Sequence, residues 1–139
     1  MTLKELESYF IRYEKQIAGP GHGRLMPDGN YQYGGFEIWV LIHTDSLSEA
    51  QGIKFLCPAC FKNNNGSIGT HSITISFEHR NVPDEAGSRN DQGQPSRWSI
   101  IGGTGLDDLQ LSPSIFIKNS PCQWHGFIGN SGILPGNAQ

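Results

Sequence analysis

Two short cysteine motifs carry the residue types best suited to metal chemistry. The first is a C-x2-C turn from Cys57 to Cys60, and the second is a C-x2-H turn from Cys122 to His125. Thiolate and imidazole donors favour Zn2+, and four of them fill a tetrahedral shell, which is typical of a structural site. The motifs therefore predict a structural zinc site with four ligands, namely Cys57, Cys60, Cys122 and His125.

The motifs also have other interpretations. A C-x2-C turn alone can be two buried thiols, and a C-x2-H turn also occurs in Rieske-type iron–sulfur sites. Such a cluster needs a second histidine in the first motif, where Cys60 stands. All 3 cysteines of the chain lie in the two motifs, which favours a metal site with zinc as its occupant. Trp124 lies inside the second motif, where its ring could shield the thiolates from solvent.

His71 and Asp107 are further candidates for chemistry. His71 begins an alternating segment and shares a face with Ile73 and Ile75, which favours a hydrogen-bonded histidine near the metal. A neutral imidazole there could also act as a general base or a spare ligand. Asp107 is followed by Asp108, and neighbouring carboxylates usually diverge, so this pair is interpreted as a solvated turn with one aspartate capping backbone amides. His71 and Asp107 are catalytic candidates only if the protein is an enzyme.

Composition indicates one β-dominated α+β domain over residues 1–139. The chain has 14 Ile against 5 Ala, together with 18 Gly and 8 Pro, and such chains favour strands and turns. We expect a single sheet or sandwich-like core over residues 36–132, joined by the metal site, with an N-terminal helix over residues 1–18. The helix is predicted from an amphipathic stripe of five residues: Leu3, Leu6, Phe10, Tyr13 and Ile17.

Other segments show clear local patterns. Strands are predicted at 36–42, 53–57, 71–77, 98–101, 114–118 and 124–128, and a short helix after Ser46, where Glu49 completes a capping box. Residues 78–96 contain almost no apolar side chains, so we expect a surface loop that the core does not need. This loop, or the Gly-rich stretch 19–35, could contact a partner.

Charge and cysteine content limit the setting. The net charge of −3 with only 10 Lys and Arg gives no basic surface of the kind that binds nucleic acid. No apolar run approaches the length of a membrane span, and the first 18 residues carry charges where a secretory signal would be apolar. An odd number of cysteines argues against a disulfide framework. We therefore expect a cytoplasmic protein.

Several motifs, in this order, resemble those of an uncharacterised family of small zinc-binding bacteriophage and prophage proteins. The similarity covers residues 36–132 and rests on the two-Cys turn, a Gly-x-His motif, an Arg-Trp pair, a Leu-x-Pro-Ser-Ile motif and the Cys-x-x-His turn. These motifs begin at Cys57, Gly69, Arg97, Leu111 and Cys122, respectively. The resemblance implies a β-rich zinc-binding domain in an infected bacterial host, without an assigned activity.

Two functions follow as hypotheses. The first is a non-enzymatic phage accessory protein that binds a host or phage protein, and so inhibits or redirects a host factor. The second is a zinc-dependent hydrolase or nucleotide-modifying enzyme, in which a water molecule replaces one protein ligand. The first is favoured because the four predicted ligands leave no open position on the metal.

Overall fold

Strands dominate the structure, a computed structural model that describes residues 1–90, 92–117, 122–129 and 132–135. The predicted β-dominated α+β class is confirmed. Eleven strands and one short helix are found in the described residues, in the order β1 (Tyr9–Ile17), β2 (Gly23–Leu25), β3 (Tyr31–Tyr33), β4 (Glu37–Thr44), β5 (Gly52–Leu56), α1 (Pro58–Asn64), β6 (Ser72–Ser76), β7 (Ser99–Gly102), β8 (Gln110–Ser112), β9 (Ile115–Phe116), β10 (His125–Gly129) and β11 (Gly132–Pro135).

The main sheet has four strands in the order β4-β1-β5-β6, and every neighbouring pair is antiparallel. Directly opposed residues of an antiparallel pair project from the same face. Phe10 faces Ile53 and Ile53 faces Ile75, which makes a continuous apolar face across three strands. This face is buried, with Ile53 and Ile75 at most 1% exposed.

A smaller sheet and a hairpin complete the core. The smaller sheet has the order β11-β10-β9, and β7 pairs with β8 across a bulge between Ile100 and Gly102. Their apolar side chains join those of the main sheet in one buried cluster, which includes Phe55, Ile73, Phe77, Leu109, Leu111, Ile115, Trp124 and Ile128. No helix in the described ranges is long and apolar enough to cross a membrane.

The N-terminal segment forms a strand, so the predicted helix over residues 1–18 is wrong. Thr2 and Glu5 exchange reciprocal backbone-to-side-chain hydrogen bonds, as in a capping box, and one helical turn follows. That turn ends at Glu7, whose φ of 53° is left-handed. From Tyr9 onward the chain pairs with β4 and β5, and cross-strand packing overrides the local helical pattern.

Of the remaining element predictions, the six strands are confirmed and the short helix is not. Strands β4, β5, β6, β7, β9 and β10 confirm the six predicted strands, with bounds that differ by a few residues. Residue 118, the end of one predicted strand, lies outside the described residues. The predicted helix after Ser46 is wrong, because residues 46–50 form only turns, with Glu49 N–H donating to the Ser46 carbonyl at 3.2 Å.

Candidate metal centre

The C-x2-C turn joins a strand to a helix. Strand β5 ends at Leu56, Cys57 follows, and α1 begins at Pro58, whose fixed φ and missing N–H suit the first helical position. Cys60 lies three residues after Cys57 in the first helical turn, so both sulfurs are presented on the same side. Cys57 is buried and Cys60 is half-buried.

His71 reaches the cysteines through strand register. Leu56 pairs with Ser72 at the end of the β5–β6 ladder, and the Cys57 N–H donates to the His71 carbonyl at 2.9 Å. His71 therefore lies directly opposite Cys57 and projects from the same sheet face. The fourth donor thus belongs to a cross-strand pair.

Cys122 completes the cluster from the distant end of the chain. Its sulfur lies 3.3 Å from the Cys57 sulfur and 3.2 Å from His71 Nε2. The four donor atoms of Cys57, Cys60, His71 and Cys122 all lie within 4.8 Å of one another. The structure therefore brings together four side chains that could bind a metal ion.

The donor distances fit a tetrahedral metal ion. Zinc–sulfur bonds of about 2.3 Å place two thiolates of a tetrahedral site about 3.8 Å apart. The sulfurs of Cys57 and Cys122, 3.3 Å apart, lie about 0.5 Å closer than that, and every pair of donor atoms lies within 4.8 Å. Cys57 and Cys122 are not joined by a disulfide, because their sulfurs lie 3.3 Å apart and an S–S bond is about 2.05 Å long.

Burial shapes the electrostatics of the cluster. It raises the pKa of the Cys57 thiol to about 12, with a further increase from Cys122, while the backbone N–H groups of Cys60 and Ala59 act in the opposite direction. The pKa of Cys60 is also raised, again by burial first and by Cys122 second. Two or three thiolates in this space are unfavourable without a counter-charge. A bound cation supplies that charge and reverses the preference.

His125 is not part of the cluster, so its predicted role as the fourth ligand is wrong. It is exposed, its Nε2 lies 3.0 Å from the Ser114 hydroxyl, and its ring lies 5.0 Å from that of Phe116. The cause is strand alternation, since Trp124 is buried and the next residue, the first of β10, points to the opposite side. His71 takes its place among the donors.

Two further sequence candidates have different environments. Trp124 is 9% exposed and packs edge-on against Phe55, in the buried cluster that also contains Cys57. Asp107 lies outside the donor group and pairs with Lys4 at 3.2 Å, with three quarters of its side chain exposed. Asp108 caps the turn, accepting hydrogen bonds from the backbone N–H groups of Thr104 and Gly105 at 2.8 and 2.9 Å.

Residues 78–96 are anchored to the main sheet, contrary to the expectation of a loop independent of the core. The Ser88 N–H donates to the hydroxyl of fully buried Ser76 at 3.0 Å, and the Ser88 hydroxyl donates to the Thr74 carbonyl at 3.0 Å. Tyr13 reaches the same Ser76 hydroxyl at 2.7 Å. Arg80 donates to the Leu47 and Ala50 carbonyls, both at 2.7 Å. Asp91 lies outside the described residues.

Comparisons with known proteins add no relative. No protein-family model, no curated protein and no solved structure matches the chain. The class that the fold and the cluster define is therefore a β-rich protein with a Cys3His donor group.

Proposed function

We propose that the cluster binds one Zn2+ as a structural centre. The observation that carries this proposal is the convergence of four protein donors, Cys57, Cys60, His71 and Cys122, within 4.8 Å. Three sulfurs and one imidazole match the ligand set of structural zinc sites, and four protein ligands leave no position for a substrate. Thiolate donors also disfavour magnesium and calcium, which prefer oxygen ligands.

Zinc at this position would hold three segments together. Cys57 and Cys60 belong to the turn between β5 and α1, His71 precedes β6, and Cys122 precedes β10 in the smaller sheet. The metal would therefore connect the two sheets across a long stretch of chain. Because the unfolded chain has no preformed site, zinc binding and folding would be coupled.

The scaffold stabilised by this metal is proposed to act by binding another protein. An exposed surface suited to that role is the β2–β3 hairpin, where Tyr31 and Tyr33 are 61% and 68% exposed. Their rings stack at 6.3 Å on one face of the hairpin, and Arg24 lies over the Phe36 ring on the opposite face. Tyrosine and arginine are enriched in the parts of protein interfaces that contribute most binding energy. A phage accessory role with a host or phage protein as the partner rests on the motif resemblance alone.

The zinc proposal is tested with two matched histidine variants. His71→Ala removes a proposed ligand, whereas His125→Ala removes an exposed histidine near the same turn. We expect the wild type and His125→Ala to purify with about one zinc per chain, and His71→Ala to lose affinity by at least about tenfold. Zinc content by mass spectrometry and a competitive chelator titration measure both. Equal affinity of the two variants would contradict the assignment.

The partner proposal is tested by removing the exposed tyrosines. Wild type, a Tyr31→Ser/Tyr33→Ser variant and an Ile68→Ser control are used to capture proteins from a bacterial host lysate. Ile68 is 90% exposed but lies away from the hairpin, in the turn before β6. We expect the wild type and control to retain the same specific partner and the tyrosine variant to lose it. No specific partner, or capture by all three proteins, would refute this surface.

A zinc-dependent hydrolase or nucleotide-modifying enzyme is the second candidate, because His71 keeps solvent contact. It needs a water ligand in place of one protein donor. The cleft beside the C-x2-C turn, about 420 Å³ in volume, includes Ala59 and Trp124 in its lining but none of the four donors. X-ray absorption of the zinc protein separates the two: three sulfurs and one nitrogen support the scaffold, and a water oxygen supports the enzyme.

A further inference from the structure

Strand β4 is a long apolar edge of the main sheet. It spans Glu37–Thr44, residues 38–42 are all apolar, and among the described residues it pairs with β1 on one side only. Leu41 is 43% exposed, and Ile38 and Val40 are only half-buried. Natural sheets usually protect such an edge with prolines, bulges or inward-pointing charges, and β4 contains none of these within its apolar run.

The backbone of β4 is open at alternate residues. Hydrogen-bonded and non-hydrogen-bonded pairs alternate along an antiparallel ladder. The N–H of Ala18, just after β1, donates to the carbonyl of Phe36, just before β4. Because hydrogen-bonded pairs recur at every second residue from there, the even-numbered residues of β4 bond to β1. In agreement, two residues of β1 that oppose odd-numbered residues of β4 bond to Gln51, on the other side of β1. The N–H of Tyr13, which opposes Leu41, donates to the Gln51 side chain, and the carbonyl of Ile11, which opposes His43, accepts from the Gln51 N–H.

Four residues of β4 therefore present their backbone N–H and C=O groups at the free edge. Within the part of the chain that the structure describes, no hydrogen bond reaches these groups. The four are Glu37, Trp39, Leu41 and His43.

We propose that a second copy of this chain pairs with this edge, β4 against β4, in an antiparallel two-fold dimer. The two-fold axis passes through Val40, so that Trp39 opposes the partner's Leu41 and Glu37 opposes the partner's His43. In this register each opposed odd-numbered pair exchanges two backbone hydrogen bonds, because both members face the free edge. The result is one continuous eight-stranded sheet.

Complementary polar side chains at both ends of β4 favour this register and this occupant. Glu37 is paired with Lys15 at 2.9 Å, and His43 with Asp45 at 3.1 Å. Placing Glu37 beside the partner's His43 puts a carboxylate next to an imidazole that can donate a hydrogen bond, and Lys15 and the partner's Asp45 extend this row at each end of the interface. Both rows are generated by the same strand, as a two-fold interface requires. The apolar residues between the rows meet apolar residues of the other copy.

The test starts from the oligomeric state of the full chain loaded with zinc. Sedimentation equilibrium of the wild type, from about 1 to 200 μM, is expected to show a concentration-dependent dimer. Val40→Lys places two like charges opposite each other on the axis and is expected to give a folded monomer. Val40→Thr, which keeps the branched shape, is expected to remain a dimer. A wild type that stays monomeric throughout overturns the proposal and leaves the edge to a strand of another protein.

A charge exchange tests the register without changing the apolar residues. Glu37→Lys is expected to weaken the dimer by about tenfold, and adding His43→Glu in the same chain is expected to recover most of that loss. Circular dichroism and zinc content confirm that each variant is folded. A dimer that is unaffected by Glu37→Lys, or is not recovered by the second change, overturns the proposal. This pair decides the question even if Val40→Lys does not fold.

Discussion

At the scale of single residues, two neighbouring aspartates have unrelated roles. Asp108 accepts hydrogen bonds from Thr104 and Gly105, and these bonds lower the pKa of its carboxyl group. Asp107 points away and makes an exposed ion pair with Lys4. The sequence-based interpretation of a turn with one capping aspartate is confirmed, because only Asp108 bonds to the backbone of the turn while Asp107 is exposed.

This difference predicts a pH-dependent contribution from Asp108. A lowered folded-state pKa means that the ionised carboxylate stabilises the fold, fully above the unfolded value and progressively less as the pH falls through the folded pKa. We expect Asp108→Asn to lower the melting temperature at pH 7, and the gap from the wild type to narrow below about pH 4. Calorimetry from neutral to acid pH measures this gap. Asp107→Asn is the control and is expected to change little at any pH, since exposed ion pairs contribute little.

The close approach of Gly126 to Trp124 also has a measurable consequence. A Cβ at Gly126 would overlap Trp124 Cζ2 and lie 2.7 Å from the Leu134 carbonyl oxygen. Gly126→Ala is therefore expected to destabilise the fold by about 1–3 kcal/mol, as overpacking does. Gly105→Ala, with nothing within 4 Å of its Cβ, is the control in chemical denaturation. Equal unfolding midpoints would contradict this packing.

At the scale of elements, a strand was predictable from the sequence where its apolar residues fit the two-residue period of a strand and did not also fit the 3.6-residue period of a helix. Strand β6 was predictable because isoleucines and polar residues alternate without any competing helical pattern. In β1, Phe10, Tyr13 and Ile17 fit a helical stripe, while Tyr9, Ile11 and Tyr13 also fit a strand. Only pairing with β4 and β5 separates the two, and the strand partner is a long-range contact that no local pattern contains.

The metal donors also differ in whether a local pattern in the sequence reveals them. The cysteines were predictable from short spacing, whereas His71 depends on the register between β5 and β6. A signal was present, because His71 continues the apolar face of Ile73 and Ile75 just as Cys57 continues that of Phe55. This pattern identifies His71 as a donor only when β5 and β6 are known to pair. The C-x2-H motif suggested His125 instead, since spacing alone does not show that β10 begins there.

The anchoring of residues 78–96 depends on one buried hydroxyl group on β6. Ser76 is fully buried and contacts both the Tyr13 hydroxyl and the Ser88 N–H. Ser76→Ala leaves two polar groups without this partner, and we expect it to destabilise the protein by about 1–3 kcal/mol. It should also increase hydrogen exchange across residues 82–90. Ser72→Ala, on the exposed end of the same strand, is the control and is expected to have little effect. Unchanged exchange in Ser76→Ala would contradict the anchor.

At the scale of the whole molecule, the proposed metal connects two sheets that also share one buried apolar cluster. The main sheet and the smaller sheet share the buried cluster around Phe55, Trp124 and Ile128. Cys122 adds a second connection between them, through the donors at Cys57 and His71. Loss of the metal should therefore loosen the smaller sheet before the main sheet.

Chelation tests this order. Removing zinc with a strong chelator under reducing conditions is expected to lower the melting temperature by roughly 10 °C or more. Hydrogen exchange should rise first in β9 and β10, while β1 and β5 stay protected. Calorimetry and hydrogen exchange, with the chelator then neutralised by excess zinc, measure the loss and its recovery. Uniform exchange across both sheets would contradict the proposed connection.

The opposed positions of Cys57 and His71 also determine where the chain can gain or lose residues without losing the cluster. The two residues are aligned by β5 and β6, so the connection between Cys60 and His71 can gain or lose residues without moving either donor. One residue inserted within β6 would instead turn His71 to the opposite face and remove it from the cluster. Relatives that keep this centre should therefore vary in length between α1 and β6 and conserve the lengths of both strands.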